Sequence, residues 1–485
     1  MIFHNRFQPQ LLLLLICSFV LSLLYPLKVQ AVTQPSLYWG AYISGLTYGS
    51  GFGSPPWDMN TWDMFEKHAQ KKISILHFGA PWYNAAGWPH GYYPFPTQQM
   101  QQIRQRGAYP MLSWGSWDYN NGAVQPEFAL KNVIAGATYQ YKGKTFDSFV
   151  HEWAKGAKAW GHPFFLRFNW EMNGWWQFPW STAVNPSSQK NPTGNTPAEY
   201  VAAWKHVHDI FTQEGATNVT WVWCPNIANN STVPFSQLYP GDAYVDWTCL
   251  DGYNKDSKFW LTSKEVFGGQ ASYPIKDSYN QILSVAPNKP LMIGETASNE
   301  SPADTTKKAS WITDFLATQL PQQFPKIKAL VWFNWNSDSG SSYVIESSTK
   351  AQTAFANGIA AAYYAANTFD AADISPIPPL ESQQSSPGPT PSISPSPSVS
   401  PSPSVSPSPS ATPATSPSPS PSASPGVCVG DINRDKKVDL LDYAIMANNF
   451  FKSPLLDPRA DLNSDGKVNL LDFAILISRF LKPCP

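Results

Sequence analysis

Residues 164–180 read FFLRFNWEMNGWWQFPW and place one acidic side chain, Glu171, among four tryptophans. The first five residues, 164–168, form a short apolar run that leads directly into this polar and aromatic segment. Such a run is typical of a buried strand in a parallel sheet. Glu171 would then follow the carboxyl end of that strand, which is where parallel sheets place their functional groups.

Similar apolar runs recur along the first 370 residues, and amphipathic segments such as 146–160 and 198–214 separate them. The other seven strand candidates are residues 37–43, 73–78, 109–114, 219–224, 245–253, 291–293 and 329–333. Eight alternating strand and helix units predict the α/β class and, within it, a (β/α)8 TIM barrel. Side chains just beyond the strand ends would line its active site.

Two glutamates follow strand candidates on opposite sides of the predicted barrel, Glu171 after the fourth and Glu295 after the seventh. Two carboxyl groups that face each other at about 5 to 5.5 Å are the catalytic pair of a retaining glycosidase. Tryptophans beside Glu171 would exclude water and raise its pKa, which suits a general acid. Arg167 and Tyr253 would keep Glu295 ionised for nucleophilic attack.

Aromatic side chains at strand ends and in loops predict a surface for a neutral sugar chain, because the C–H faces of sugars stack on aromatic rings. His77, at the end of the second strand candidate, is a candidate contact for a sugar hydroxyl. The predicted stacking residues are Trp114, Trp175, Trp176, Trp180, Trp223 and Trp332.

The first module resembles glycoside hydrolase family 26 in a series of ordered motifs. These are LRFNWEMNGWWQFPW, NVTWVWCPN, DWTCLDGYN, PLMIGETAS and KALVWFNWN. The resemblance implies a retaining barrel hydrolase of β-linked polysaccharides, most often an endo-β-mannanase, with β-1,3-1,4-glucanases and β-1,3-xylanases as minority activities. It also implies that the acid/base is Glu171, in EMNG, and that the nucleophile is Glu295, in GET.

One position departs from the pattern implied by this resemblance. The family usually has histidine immediately before the acid/base glutamate, and this chain has Trp170. Because a residue at this place lies near the C2 hydroxyl that distinguishes mannose from glucose, the change bears on the substrate rather than on the reaction. The prediction is cleavage of β-1,4-mannosidic linkages, and mixed-linkage β-glucan or xylan are the alternatives.

The last 60 residues contain a duplicated segment, GDINRDKKVDLLDYAIMANNF and ADLNSDGKVNLLDFAILISRF, offset by 30 residues. Its acidic spacing is that of EF-hand calcium loops. The predicted ligands are Asp431, Asn433, Asp435, Lys437 (through its carbonyl), Asp439, Asp442, Asp461, Asn463, Asp465, Lys467 (through its carbonyl), Asn469 and Asp472. The pair resembles a small all-α type I dockerin, which implies docking onto a cohesin domain of a scaffold or cell-surface protein.

Composition and punctuation divide the chain into four predicted parts. These are a secretory signal peptide at 1–31, a catalytic domain at 32–370, a Pro/Ser-rich linker at 371–426 and the dockerin-like module at 427–485. The protein is therefore expected to be secreted, or held at the cell surface by that module, without a membrane anchor after signal cleavage. Cys224 and Cys249 either pair or remain buried thiols, and Cys428 and Cys484 flank the last module.

The low charge of the chain excludes nucleic acid as a partner. Two functions other than catalysis are alternatives. A formal net charge of -1 with 14% charged residues gives no basic surface for nucleic acid. A non-catalytic sugar-binding barrel is one alternative, although a binding protein does not need both glutamates. An adaptor that acts only through the dockerin-like module is the other.

Overall fold

The computed structural model describes two units, one on each side of residue 389. In the first unit the described residues are 36–49, 51–86, 90–119, 121–122, 124–174, 178–185, 187, 193–255, 260–270, 274–301, 303–304, 306–336, 342–366 and 373–380. In the second they are 430–434, 437–438, 442, 445–446, 449, 457–464, 466–468, 472, 475–476 and 479. The predicted signal peptide and most of the predicted linker therefore lie outside the described residues.

Eight parallel strands form a closed barrel, which confirms the predicted fold class. In chain order they are β1 (Leu37–Ile43), β2 (Ile75–Asn84), β3 (Tyr109–Asp118), β4 (Phe164–Phe168), β5 (Val219–Trp223), β6 (Trp247–Asn254), β7 (Leu291–Ser298) and β8 (Ile327–Asn334). Each strand pairs with the next, and β1 pairs with both β2 and β8. Short strands at Gly91–Tyr92 and Tyr364–Ala365 pair with β2 and β1, while Gln140–Tyr141 and Lys144–Thr145 form a separate hairpin.

Helices follow the strands and cover the barrel. They are α1 (Met59–Ala69), α2 (Thr97–Gln105), α3 (Leu130–Ile134), α4 (Phe146–Trp160), α5 (Pro197–Glu214), α6 (Ser263–Gly268), α7 (Ser278–Val285), α8 (Lys307–Asp314) and α9 (Thr349–Ile359), with a π-helical segment, Phe315–Gln323, after α8. Both helices expected at 146–160 and 198–214 are present. Thr196 explains the start of α5, because it forms a capping box with Glu199.

Among the described residues, no helix is both long and apolar enough to cross a membrane.

Side chains alternate between the barrel interior and the shell beneath the helices. On β3, Met111 belongs to the interior core, whereas Leu112 and Trp114 pack into the shell. The same alternation puts Arg167 and Asp251 on the inner face, at the carboxyl ends of β4 and β6. The strand period thus decides which predicted residues reach the mouth of the barrel.

The segment 373–380, which the sequence assigned to the linker, packs against the barrel at the amino ends of its strands. Ile377 is 1% exposed and lies in the interior core. Its backbone N–H donates to Thr220 Oγ1 at 2.8 Å, and its carbonyl accepts from Trp247 Nε1 at 2.7 Å. This segment therefore belongs to the barrel unit, because it buries apolar surface that the strands leave open.

The second unit repeats one local structure twice. Asp442 Oδ1 accepts hydrogen bonds from the backbone N–H of Ile432 and Asn433, at 2.6 and 3.0 Å. Asp472 Oδ1 makes the equivalent bonds to Leu462 and Asn463. Both aspartates are fully buried, so each closes its loop from the twelfth position. Four of the predicted calcium ligands (Asp435, Asp439, Asp465 and Asn469) and both Cys428 and Cys484 lie outside the described residues.

We expect Ile377→Ala to lower the free energy of unfolding of the barrel by about 2–5 kcal/mol, because it leaves a cavity at the base of the core. Chemical denaturation of the full chain, followed by tryptophan fluorescence, measures this loss. Ile374→Ala is the matched control, since Ile374 lies in the same segment and is 50% exposed. Equal stability of the two variants would show that the segment contributes nothing to the barrel.

Candidate active site

A buried arginine lies at the centre of the barrel mouth. Arg167, on β4, is 0% exposed and donates from Nη1 to Glu295 Oε1 at 2.5 Å and to Ser113 Oγ at 2.9 Å. Its Nη2 donates to Asp251 Oδ2. One cation is thus held between two carboxylates from β6 and β7, and its orientation is fixed by hydrogen bonds from both sides.

Glu295 reaches this arginine because β7 contains a bulge. Ile293 pairs with Leu250 and Glu295 pairs with the next residue of β6, Asp251, so that two residues of β7 oppose one residue of β6. Strict alternation from the interior residue Met292 would have pointed Glu295 into the shell. Gly294 permits the bulge, since a Cβ there would lie 2.4 Å from Cys249 Sγ and 2.9 Å from Asp251 Oδ1.

Glu295 is surrounded by groups that favour its ionised form. Burial raises the pKa of a carboxyl group, but the nearby Arg167 guanidinium and the hydrogen bonds from Tyr253 and Arg167 outweigh it and hold the pKa of Glu295 below its usual value. The Tyr253 hydroxyl donates to Oε2. Glu295 is therefore a carboxylate near neutral pH, as a nucleophile must be.

Glu171 has the opposite environment. It is 4% exposed, and burial together with the charge of Glu295 raises its pKa. Asn226 Nδ2 donates to its Oε1 at 2.7 Å. The backbone at Glu171 has a φ of 53°, and its N–H donates to the Cys224 carbonyl at 2.7 Å. This strained turn directs the side chain across the mouth toward β7.

Oxygen atoms of Glu171, Asp251 and Glu295 all lie within 4.8 Å of one another. This upper limit is close to the separation of about 5 to 5.5 Å in a retaining pair and lies below the separation of about 6.5 to 9.5 Å in an inverting pair. Asp251 is a third buried carboxyl group that the sequence analysis did not select, although it lies in the LDGYN motif.

Four of the predicted sugar-stacking tryptophans are fully buried, so these predictions are corrected. Alternation along β3, β5 and β8 turns Trp114, Trp223 and Trp332 outward into the shell beneath the helices. Trp114, for example, stacks on Trp153 of α4 with ring centroids 4.4 Å apart. Trp180 is 0% exposed and donates from Nε1 to the Trp170 carbonyl at 2.6 Å. Trp175 and Trp176 lie outside the described residues.

His77 lies on the inner face of the barrel, but below the position predicted for it. Its Nε2 is 2.6 Å from Ser113 Oγ, which also accepts from Arg167. Burial and the adjacent Arg167 lower the pKa of His77 to about 3, so the ring is neutral. A residue that is 3% exposed and engaged in this way supports the arginine rather than contacting a sugar hydroxyl.

The aromatic surface at the mouth comes from other residues. Trp170 is partly exposed and lies over Arg167, with the guanidinium carbon 5.3 Å from the ring centroid. The ring centroid of Trp117 lies 6.3 Å from that of Trp170, and the 61% exposed Tyr119 contacts Trp117 from the loop after β3.

On the opposite side of the barrel mouth, the ring of Phe333 stacks on Tyr42 with centroids 4.7 Å apart. Counting alternate residues along each strand would have selected Phe333 in place of Trp332.

Cys224 and Cys249 form a disulfide that links β6 to the end of β5, which resolves the alternative left by the sequence. Both belong to the interior core of the barrel. The disulfide lies directly beneath Asp251 and Gly294. It therefore forms part of the floor under the carboxylates.

Two family models match parts of this chain. Residues 97–268 match the model for glycosyl hydrolase family 26, and residues 429–481 match the model for the dockerin type I domain. The resemblance expected from the sequence is thus confirmed, because residues 97–268 are similar to family 26 glycoside hydrolases and residues 429–481 are similar to type I dockerin domains.

Individual relatives are similar over the barrel. Endoglucanase H of Acetivibrio thermocellus is 31% identical over 327 residues, which make up 66% of this chain and 31% of that protein. The chain therefore spans about a third of the length of this curated relative. A mannanase of Bacillus subtilis is 16% identical, with a TM-score of 0.46 over 69% of this chain and 88% of its own. A family 26 β-mannanase of Bacteroides ovatus is 15% identical, with a TM-score of 0.45 over 69% and 91%.

Replacing Arg167 by methionine should destabilise the barrel by about 3–5 kcal/mol at pH 7, because buried carboxylates lose their cation. Without the arginine, the pKa of Glu295 in the folded state rises above its unfolded value. The resulting cost is present above the unfolded pKa and disappears as the pH falls below about 4.3. The stability difference from wild type should therefore shrink between pH 7 and pH 4 in urea denaturation.

Arg106→Met is the control for this measurement. Arg106 pairs with the exposed Asp63 on the surface, so its loss should change stability by at most about 1 kcal/mol. A deficit for Arg167→Met that is as small as this, or that does not change with pH, would contradict the arginine-centred account of the site.

Proposed function

We propose that the first module is a retaining endo-hydrolase of neutral β-linked polysaccharides, with Glu171 as acid/base and Glu295 as nucleophile. The observation that carries the proposal is the pair of opposite pKa shifts on two carboxyl groups whose oxygens lie within 4.8 Å of each other. One group is suited to donate a proton and the other to attack at the same pH.

In the first step, protonated Glu171 gives its proton to the glycosidic oxygen while a Glu295 oxygen attacks the anomeric carbon. The bond from that carbon to the leaving oxygen breaks, and a covalent glycosyl ester forms with inversion. Arg167 and Tyr253 hold the attacking carboxylate in a single orientation. Asn226 does the same for Glu171.

In the second step, Glu171, now ionised, removes a proton from a water molecule that attacks the anomeric carbon. The ester bond to Glu295 breaks and releases the sugar with net retention. Glu171 recovers its proton and Glu295 its negative charge, so the site returns to its starting state. While Glu295 is held as an uncharged ester, its charge no longer raises the pKa of Glu171, so Glu171 is better suited to act as a base in this step.

For the sugar of the backbone, we propose glucose, in a β-glucan. Endoglucanase H, which is 31% identical to this chain over the barrel, is named for activity on glucans. Trp170 also supports this choice, because its indole ring lies over Arg167 beside the acid, where the family resemblance leads one to expect a histidine. An indole offers a flat apolar face to a sugar and only one hydrogen-bond donor.

β-1,4-Mannan is the second candidate. It is the most frequent substrate implied by the family 26 resemblance, and every feature of the Glu171 and Glu295 pair serves mannose as well as glucose. Xylan, and binding without cleavage, are outcomes of the same experiment.

For the second module, we propose two calcium ions and a cohesin partner that holds the enzyme outside the cell. Asp442 and Asp472, buried at the twelfth position of each loop, fit the carboxylate that closes an EF-hand loop. The other predicted oxygen ligands would complete each site, and calcium would order the loops. Cohesin binding that persists in EDTA, or that is absent in calcium, would argue against this proposal.

Reducing-sugar release from barley β-glucan, mannan, glucomannan and xylan tests the first module. Wild type should release sugar from β-glucan, and Glu171→Gln and Glu295→Gln should each lose at least 100-fold in kcat, as expected when a proton donor or nucleophile is removed. NMR of the first product should show the β-anomer. Binding to a polymer without release of sugar would favour the non-catalytic barrel, and release that survives Glu295→Gln would refute the assigned nucleophile.

The same panel tests the role of Trp170. Trp170→His restores the residue implied by the family pattern, so we expect the ratio of kcat/KM on mannan to kcat/KM on β-glucan to rise at least tenfold. Trp117→His is the matched control, because Trp117 is a partly exposed neighbour that does not adjoin the acid. An unchanged ratio would show that the backbone sugar is selected elsewhere.

A further inference from the structure

The loops that follow β7 and β8 meet at a buried lysine. Lys308, on α8, has a side chain that is 0% exposed. Its Nζ donates to the carbonyls of Ser342 and Val344, both at 2.7 Å, and to Ser347 Oγ at 2.8 Å. These bonds use all three protons of the ammonium group. We call Lys308 and these three acceptors the lysine clasp.

The residue between the two carbonyls of the clasp is directed at the active site. Tyr343 is 6% exposed, and its ring stacks on Tyr253 with centroids 5.2 Å apart and an interplanar angle of 28°. Its carbonyl accepts from Trp332 Nε1 at 3.0 Å. Because Tyr253 donates to Glu295, an unbroken series of contacts leads from Lys308 to the proposed nucleophile.

Two acidic groups face the clasp. Glu300, in the loop after β7, has an oxygen 4.0 Å from Nζ and accepts from Ser347 Oγ at 2.6 Å. Glu346 also acts on the lysine through its charge. A buried ammonium costs solvation energy that an apolar side chain would avoid. Its three directed bonds fix a loop conformation that an apolar residue could not specify.

We propose that Lys308 is a positioning residue for the nucleophile. By fixing residues 342–347, the clasp keeps Tyr343 stacked on Tyr253, and this contact keeps the Tyr253 hydroxyl on Glu295. This inference rests on the proposed function and adds to it a residue that touches neither the substrate nor the carboxylate pair.

The effect should appear in the pKa of Glu295. The titratable and charged groups that face this carboxyl are Arg167, Tyr253, His77, Asp251, Glu171 and Tyr42. Among these groups, the clasp positions Tyr253. The hydrogen bond from Tyr253 lowers the pKa of Glu295. Loosening the clasp removes part of this stabilisation, so the pKa of Glu295 should rise.

The test compares two lysines that each donate to three acceptors. Lys308→Met should lower kcat about tenfold and move the acidic limb of the kcat/KM profile on β-glucan upward by about 0.5–1 pH unit, since this limb reports the free nucleophile. Lys71→Met is the matched control. Lys71 donates to the carbonyls of Ile359, Ala361 and Tyr364, away from the barrel mouth, so its loss should lower Tm without moving the limb.

A double-mutant cycle shows whether the effect passes through Tyr253. Tyr253→Phe removes the hydroxyl and keeps the ring, so Lys308→Met should produce no further shift in that background. Tyr343→Leu should reproduce the shift while leaving Lys308 in place, and it serves if Lys308→Met does not fold.

Each outcome bears on the proposal. An acidic limb that stays at the wild-type pH in Lys308→Met, or in Tyr343→Leu if the lysine variant does not fold, would assign the clasp a structural role only. Full additivity with Tyr253→Phe would also overturn the inference. An inactive wild type would refute the proposed function, and this inference would fall with it.

Discussion

The site depends on a single buried guanidinium. Arg167 has no exposed surface and bonds to carboxylates on two other strands. It therefore connects β4 to β6 and β7 across the mouth of the barrel. Without this positive charge, Asp251 and Glu295 would be two acids in a medium that disfavours their charge. With it, one proposed catalytic carboxyl stays ionised beside another whose pKa is raised by burial and by that charge. The proposed division into nucleophile and proton donor follows from that difference.

Local backbone features support this distribution of charge. The bulge at Gly294 turns Glu295 inward, and the left-handed turn at Glu171 directs its side chain across the mouth. Neither feature stabilises the barrel as such, since the regular strand would continue without them. The closed sheet and the apolar shell of tryptophans beneath the helices offset the free-energy cost of these local backbone features.

Much of this arrangement could be predicted from the sequence, because strand and helix periods are local properties. The eight strands and the pairing of Glu171 with Glu295 needed only apolar runs and their order. The tryptophans show the limit of that reasoning, as composition suggests a sugar-binding surface but only the alternation along each strand assigns Trp332 to the shell and Phe333 to the mouth. Long-range contacts, such as Ile377 under the barrel, leave no local signal.

In the proposed mechanism, Glu295 becomes covalently attached to the sugar. The most direct measurement is mass spectrometry of the protein after reaction with an activated 2-deoxy-2-fluoro glycoside of a β-glucan oligosaccharide, followed by peptide mapping. We expect one added glycosyl group, carried by Glu295, and its slow release in buffer. A label on any other residue, or steady hydrolysis of the reagent without a trapped ester, would contradict it.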